Sequence, residues 1–294
     1  QHLRDFIQGI NLSKSLQDPY IVKKFEEYFP VWLKQCPRYQ LKGINDFKYS
    51  CFSQGSQEYF VNFYLKYRDK RFRVFKGEYW WHMEVWKNLG LKWAYIEDDD
   101  LGADDVVLIS FPFARVGDEH PQQKDLLKQC ERIGIPVMLD FIYVPNATYD
   151  KLQIDLTPTC IKSLSFSFSK AFPVGNARIA LRMTREKIKD PMQISNDENV
   201  ANRLASGLGL QLMKNYNVDY MVEKYFDEQK HWCRSLGLKP TKVVHFALGE
   251  PFTEHGRKNN KRFFSEFNDQ QNRYNLGPLF ENKQLLQTLG FYEY

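Results

Sequence analysis

Short apolar segments alternate with amphipathic helical segments along the middle of the chain, and this alternation limits the fold. Buried strands are predicted over 106–110, 136–139 and 161–166, and the first two are mostly apolar. A helical pattern over 122–133, ended by a glycine, separates the first two strands. Strands that are apolar throughout are typical of parallel sheets with both faces covered by helices. The sequence therefore predicts an α/β fold, with a three-layer α/β/α large domain built on a mostly parallel sheet.

The flanking segments suggest how the rest of the chain is organised. A turn and a helix are predicted over 48–64. The pattern Ser195-x-x-Glu198 resembles a capping box at the start of a long helix that continues to about Tyr216. Short strands and helices are predicted after 240. The predicted division is an N-terminal segment that packs with the small domain (1–45), the large domain (46–190), long linking helices (191–235) and a small α+β C-terminal domain (236–294).

Composition argues against several kinds of protein. The 294-residue chain has a net charge of +5 but no basic block, and we therefore expect no nucleic-acid partner. Its 5 cysteines are widely spaced without a Cys-x-x-Cys pair, which argues against a disulfide framework and a zinc site. No apolar run approaches membrane-spanning length, and no signal-peptide pattern begins the chain. We expect a cytoplasmic protein that uses no metal and no membrane.

Charged residues follow two of the predicted buried strands. Asp140 ends one predicted buried strand, and Lys170 follows another. Arg178 lies eight residues after Lys170. A carboxylate at a buried strand end is costly unless a cation pairs with it, and ligands of open α/β sheets bind at the carboxyl ends of strands. Pyridoxal phosphate (PLP) chemistry needs a lysine that forms an imine, an acid beside the pyridine nitrogen and a cation for the phosphate. These three residues supply those groups.

The stretch 54–178 resembles the core of the fold-type I, class I/II aminotransferase family. The family's Ser-x-Ser-Lys motif, followed by an arginine, matches Ser167, Ser169, Lys170 and Arg178. The resemblance implies that Lys170 forms the Schiff base with PLP and moves the proton of the reaction. It also implies that Ser167, Ser169 and Arg178 bind the cofactor, with Ser167 and Arg178 at its phosphate.

Two further motifs of the family have counterparts here. Its Asp-x-x-Tyr motif matches Asp140 and Tyr143, and its aromatic segment resembles 77–82. The resemblance implies that Asp140 binds the pyridine nitrogen and Tyr143 the phenolic oxygen of PLP. Tyr79 is expected to stack on the ring as a third catalytic residue with Lys170 and Asp140. His82 is expected to support Asp140 from behind.

Phosphate and substrate sites are implied in the same way. The run Gln54-Gly55-Ser56 resembles the family's phosphate-binding turn before a helix, where free backbone N–H groups favour an anion. Arg273 lies in a run that resembles the family's Arg-x-Asn-Leu, whose arginine holds the substrate carboxylate in a bidentate pair. The other histidines lack ligand-like spacing, and we predict structural or surface positions for His120, His231, His245 and His255.

The implied activity is amino-group transfer between an amino acid and a keto acid, in a homodimer. One position departs from the family: Ala114 stands where an asparagine would bind the phenolic oxygen of PLP. This departure keeps open a decarboxylase, a lyase or an amino-acid oxidase on the same fold. A degenerate, non-catalytic protein of the same fold is a further alternative.

Overall fold

A computed structural model of the protein describes residues 2–172, 174–249, 264–266 and 272–281. The helices are α1 (His2–Gly9), α2 (Ser13–Gln17), α3 (Ile21–Leu33), α4 (Ser56–Lys66), α5 (Trp81–Asn88), α6 (Gln123–Ile133), α7 (Phe168–Ala171), α8 (Pro191–Asp197), α9 (Arg203–Asn215), α10 (Tyr220–Ser235) and α11 (Gly277–Glu281). The strands are β1 (Tyr39–Lys42), β2 (Tyr49–Ser53), β3 (Arg71–Val74), β4 (Trp93–Tyr95), β5 (Asp105–Ser110), β6 (Val137–Asp140), β7 (Leu152–Asp155), β8 (Ile161–Ser167), β9 (Ala180–Thr184), β10 (Lys239–Pro240), β11 (Phe246–Gly249), β12 (Phe264–Glu266) and β13 (Asn272–Asn275).

The main sheet has seven strands in the order β2-β9-β8-β6-β5-β3-β4. Among these described strands, β9 alone runs antiparallel to the others. A smaller antiparallel sheet has the order β10-β11-β13-β12, and β1 pairs with β7. The predicted α/β fold with a mostly parallel sheet is therefore confirmed.

The strand register brings the ends of three central strands together. Ser110 of β5 lies beside Asp140 of β6, which lies beside Ser165 of β8. All six residues of β5 and all four of β6 are buried, since helices cover both faces of the sheet. Because these strands are parallel, their carboxyl ends share one edge, and the residues that follow them lie close together.

The long helix predicted from Ser195 is wrong. Two helices occupy this stretch: α8 starts after Asp190, whose carboxylate accepts from the Gln193 N–H, and α9 starts after Asn202, whose side chain accepts from the Ala205 N–H. Ser195 instead lies inside α8, where its hydroxyl donates to the Pro191 carbonyl. The side-chain oxygens of Asp190 and Asn202 satisfy the helix N-termini better than a serine in mid-helix can.

The N-terminal helices cover one face of the main sheet. In α3, Phe25 and Phe29 contact Phe168 and Phe166, and Trp32 stacks on Phe168 with ring centroids 5.5 Å apart. These contacts fix the segment that carries Lys170 against a dense aromatic core. The division of the chain into four segments stays a prediction.

Two findings concern other kinds of site. No helix in the described part of the chain is long and apolar enough to cross a membrane. Among the same residues, no group of three or more histidine, cysteine, aspartate or glutamate side chains is arranged to hold a metal ion.

Candidate active site

Asp140 is a buried carboxylate at the carboxyl end of β6, with 3% of its surface exposed. The Tyr59 hydroxyl donates to its Oδ1 at 3.2 Å, and the Ser165 hydroxyl donates to the same atom at 2.8 Å. Burial raises the pKa of Asp140 to about 7; the hydrogen bond from Ser165 opposes this rise and the nearby Glu78 charge adds to it. We expected His82 to support the Asp140 carboxylate. The side chains that donate hydrogen bonds to this carboxylate are instead those of Tyr59 and Ser165.

Lys170 lies in the short helix α7, directly after β8. The Ser167 hydroxyl accepts from the Ser169 N–H at 3.2 Å and so caps this helix. The Lys170 side chain is half-buried, and burial lowers its pKa, with a further lowering by the positive charge of Arg273. A lysine with a lowered pKa more readily presents the neutral amine that acts as a nucleophile or base.

Arg178 packs directly against the turn that precedes α4. Gly55 has φ +88°, and a Cβ added there would lie 2.3 Å from Nη2 of Arg178. Arg178 itself adopts the left-handed conformation with φ 52°. No side chain caps α4, and Ser56 is its first residue. An arginine and a helix N-terminus in contact form a favourable position for an anion.

Gln54 contributes less than its neighbours to this position. Its backbone N–H already donates to the Glu58 carboxylate at 2.6 Å. The Glu58 carboxylate also accepts from the Ser53 hydroxyl at 3.1 Å. The arrangement thus leaves Gly55, Ser56 and Arg178 as the closer candidates for an anion.

Gly55→Ala is expected to weaken binding of a phosphate-bearing ligand by about 10- to 100-fold, because the added methyl group displaces the Arg178 guanidinium. Gly134→Ala is the matched control, since Gly134 also has a positive φ (+82°) but nothing lies within 4 Å of an added Cβ. Titration of both variants with PLP and with inorganic phosphate measures the effect. Equal affinities for the two variants would contradict the assigned position of Arg178.

Tyr79 and His82 contact each other near Asp140. Burial raises the pKa of Tyr79; the positive charge of Arg178 opposes this rise and the charge of Asp140 adds to it, which places Tyr79 near both residues. The rings of Tyr79 and His82 meet edge to face at 5.5 Å. Nδ1 of His82 bonds the Tyr64 hydroxyl, and burial lowers the pKa of His82 to about 3, which keeps the ring neutral.

Tyr143 and Arg273 come together through the small sheet. Tyr143, three residues after Asp140, contacts Phe246 with ring centroids 5.1 Å apart. The guanidinium carbon of Arg273 lies 4.4 Å from the centre of the same Phe246 ring. Arg273 is 7% exposed, and its charge acts on Lys170. The structure therefore brings Arg273 of β13 to the edge of the main sheet where Lys170 lies.

Several residues of this site were missed in the sequence. Tyr59 and Ser165, which bond Asp140, are two of them. The third is Glu78, a buried carboxylate that accepts from Ser110 N–H at 2.8 Å and from Tyr79 N–H at 2.9 Å. The sequence shows that Tyr59 is one helical turn after Ser56 and that Ser165 is two residues before Ser167 on the same strand face, but neither spacing identifies Asp140 as the partner.

Ala114 lies within the candidate site, next to Ser110 and Tyr143. Its N–H donates to the Ser110 hydroxyl at 2.8 Å, and its methyl group packs in a small cluster with Tyr143, Val243 and Phe246. The side chain at position 114 therefore faces Tyr143 but offers no hydrogen-bond donor.

Comparisons with solved structures show the fold. The probable N-succinyldiaminopimelate aminotransferase of Thermus thermophilus matches with a TM-score of 0.68 and 15% identity, over 95% of this chain and 88% of that one. The PLP-bound C-S lyase of Staphylococcus hominis matches with a TM-score of 0.65 and 12% identity, over 91% and 81%. The L-threonine-O-3-phosphate decarboxylase of Porphyromonas gingivalis matches with a TM-score of 0.63 and 15% identity, over 95% and 96%.

No protein-family model and no curated protein sequence matches the chain. At the low identities of the structural matches, it is the fold that is shared. The chain has the fold of the class I/II aminotransferases and of related fold-type I enzymes. These enzymes catalyse different reactions, and the choice of reaction therefore depends on the site.

Proposed function

We propose that this protein is a PLP-dependent enzyme that transfers an amino group between an amino acid and a keto acid through a Lys170 Schiff base. The observation that supports it most is the buried Asp140 carboxylate on the same sheet edge as Lys170, with Tyr79 near both Asp140 and Arg178. A lysine, an acid and an arginine near one edge of the sheet would match the imine, the pyridine nitrogen and the phosphate of PLP.

The residues present fit this cofactor. Asp140 receives hydrogen bonds from two neutral hydroxyls, and burial holds its pKa near 7. A protonated pyridine nitrogen would give this carboxylate the cation that a buried charge requires. Arg178, seated on Gly55 at the start of α4, offers a guanidinium and backbone N–H groups to a phosphate.

In the proposed mechanism each side chain has one task. When bound, PLP supplies an electron-withdrawing ring that stabilises negative charge at the substrate α-carbon. Lys170 would hold the cofactor and would carry a proton to and from that carbon, which its lowered pKa favours. Asp140 would keep a proton on the pyridine nitrogen of the bound cofactor, Tyr79 would cover its ring, and Tyr143 would donate a hydrogen bond to its phenolic oxygen.

The remaining residues orient the ligands. The phosphate end of the cofactor would be held by Arg178, the Gly55 turn, Ser56, Ser167 and Ser169, with Gln54 beside them. Arg273 binds the substrate carboxylate, and its position over Phe246 fixes the direction of its guanidinium.

Amino acids added singly to the PLP-loaded protein are expected to convert the visible absorbance of the lysine-bound cofactor into that of its amine form, because the amino group stays on the cofactor after the keto acid leaves. Addition of a keto acid should then restore the first spectrum. Absence of this conversion with every amino acid would contradict amino-group transfer.

A second candidate keeps PLP but changes the outcome to decarboxylation, elimination or oxidation. The observation that favours it is Ala114, which packs against Tyr143 without a donor for the phenolic oxygen. The similarity to a C-S lyase and a decarboxylase is consistent with it. Release of carbon dioxide, or product formation without a keto acid, would favour this candidate, whereas failure to acquire any PLP absorbance would favour a non-catalytic protein of this fold.

We further propose a homodimer in the cytoplasm, as the family resemblance implies. Sedimentation velocity of the PLP-loaded protein tests the dimer. A single species with the mass of one 35.0 kDa chain would contradict it.

A further inference from the structure

His245 lies directly before β11, beside the residues that we propose for substrate binding. Its side chain is 8% exposed, and its ring centroid lies 6.0 Å from that of Tyr143 and 4.4 Å from that of Phe246. The guanidinium carbon of Arg273 lies 4.4 Å from the centre of the same Phe246 ring. The imidazole and the guanidinium therefore both lie against the Phe246 ring.

Backbone hydrogen bonds on both sides fix the position of His245. Its carbonyl accepts from the Leu276 N–H at 2.8 Å, three residues after Arg273. The Val244 N–H donates to the Asn146 carbonyl at 2.9 Å, three residues after Tyr143. The imidazole is thus held between the segment that carries Tyr143 and the strand that carries Arg273.

The imidazole has an unused hydrogen-bonding atom. Nε2 is buried and bonds to nothing in the parts of the chain that the structure describes. Burial lowers the pKa of His245 well below its usual value, and the positive charges of Lys170 and Arg273 lower it further. The ring is consequently neutral, and a buried nitrogen without a partner costs free energy until a ligand supplies one.

We infer that His245 binds the substrate carboxylate together with Arg273 and takes up a proton when that carboxylate arrives. The inference rests on the proposed function, because it takes Arg273 as the carboxylate-binding residue. Among the described residues, the charged groups that act on His245 are Lys170 of α7 and Arg273 of β13, both positive, and the titratable Tyr143 lies with its ring 6.0 Å away. A bound carboxylate offsets the two positive charges, and the resulting imidazolium makes a charge-assisted hydrogen bond to its oxygen.

The test uses the PLP-loaded protein and succinate as a non-reacting carboxylate. Calorimetric titrations at pH 6.5 in buffers of different ionisation heat count the protons taken up per succinate bound. The absorbance of lysine-bound PLP reports the protonation at Lys170 separately. We expect proton uptake in excess of that absorbance change for the wild type, and an affinity that rises as the pH falls from 8 to 6.5.

Two variants and a control separate the hydrogen bond of His245 from its uptake of a proton. His245→Phe is expected to bind succinate about tenfold more weakly and to lose the excess uptake, because it removes both the hydrogen bond and the titrating group. His245→Asn is expected to recover part of the affinity without the excess uptake, since it restores only a hydrogen-bonding group. His231→Asn, at an exposed position of α10, should match the wild type in both measurements.

The outcomes distinguish this inference from the proposed function. Wild-type affinity in His245→Phe, or excess proton uptake that persists in His245→Asn, overturns the role of His245 and leaves the PLP proposal standing. A wild type that shows PLP absorbance but binds no succinate overturns the carboxylate role as well. A wild type that acquires no PLP absorbance overturns the proposed function itself.

Discussion

Lys170→Ala is expected to lower turnover on the order of 10⁴-fold or more, because the proposed imine and the proposed proton transfer both use this amine. The anion position at Gly55 and Arg178 is separate from it and stays intact. PLP should therefore still bind, but without the absorbance of a lysine-bound cofactor. Single-turnover kinetics and absorbance spectra of the purified variant measure the two effects.

Two further variants make the Lys170 experiment specific. Lys162→Ala removes an exposed lysine from β8, the strand that precedes Lys170, and should leave both spectrum and turnover unchanged. Lys170→Arg keeps the positive charge but removes the nucleophile, and should be as inactive as the alanine variant. Turnover of Lys170→Ala within tenfold of the wild type would refute the central role of this residue.

The large sheet could be predicted, and the role of Lys170 proposed, because their signals are local in the sequence. Strands such as β5 and β6 are apolar at nearly every position, which distinguishes covered parallel strands from surface strands. The resemblance of Ser167, Lys170 and Arg178 to a family motif likewise lies within 12 consecutive residues. Short-range patterns of this kind can be recognised without any knowledge of the tertiary structure.

The support of Asp140 and the position of His245 could not be predicted in this way. Tyr59 bonds Asp140 across 81 positions of the chain, and Ser165 does so across 25. The charges of Lys170 and Arg273 act on His245 because the small sheet packs against the segment after Tyr143. A single histidine or tyrosine has no spacing that reveals such a contact, since the partners are set by packing and not by a repeat.

Asp140→Asn is expected to lower kcat/KM by about 10³-fold, because an amide cannot pair with a protonated pyridine nitrogen as a carboxylate does. The fold should persist, since an asparagine oxygen can still accept the hydrogen bonds from Tyr59 and Ser165. Steady-state kinetics with the PLP-loaded variant measure the loss. Activity within tenfold of the wild type would contradict the pairing.

The same substitution should stabilise the cofactor-free protein at high pH. The folded chain holds the Asp140 proton up to a pKa of about 7, whereas the unfolded chain releases it near 3.8. Rising pH between these values therefore favours the unfolded wild type, and removal of the carboxylate cancels a cost on the order of 4 kcal/mol at pH 8. Urea unfolding should show no difference between the two proteins near pH 4 and a growing advantage for Asp140→Asn toward pH 7.

Asp155 provides a control in which the same substitution should change the stability in the opposite direction. Hydrogen bonds from Thr157 lower the pKa of this exposed carboxylate to about 2, and Asp155→Asn should therefore lose stability above pH 4 where Asp140→Asn gains it. Equal pH dependence of Asp140→Asn and the wild type would show that Asp140 ionises freely in the empty site. The buried acid would then carry no free-energy cost of ionisation for the protonated pyridine nitrogen of PLP to relieve, as our proposal requires.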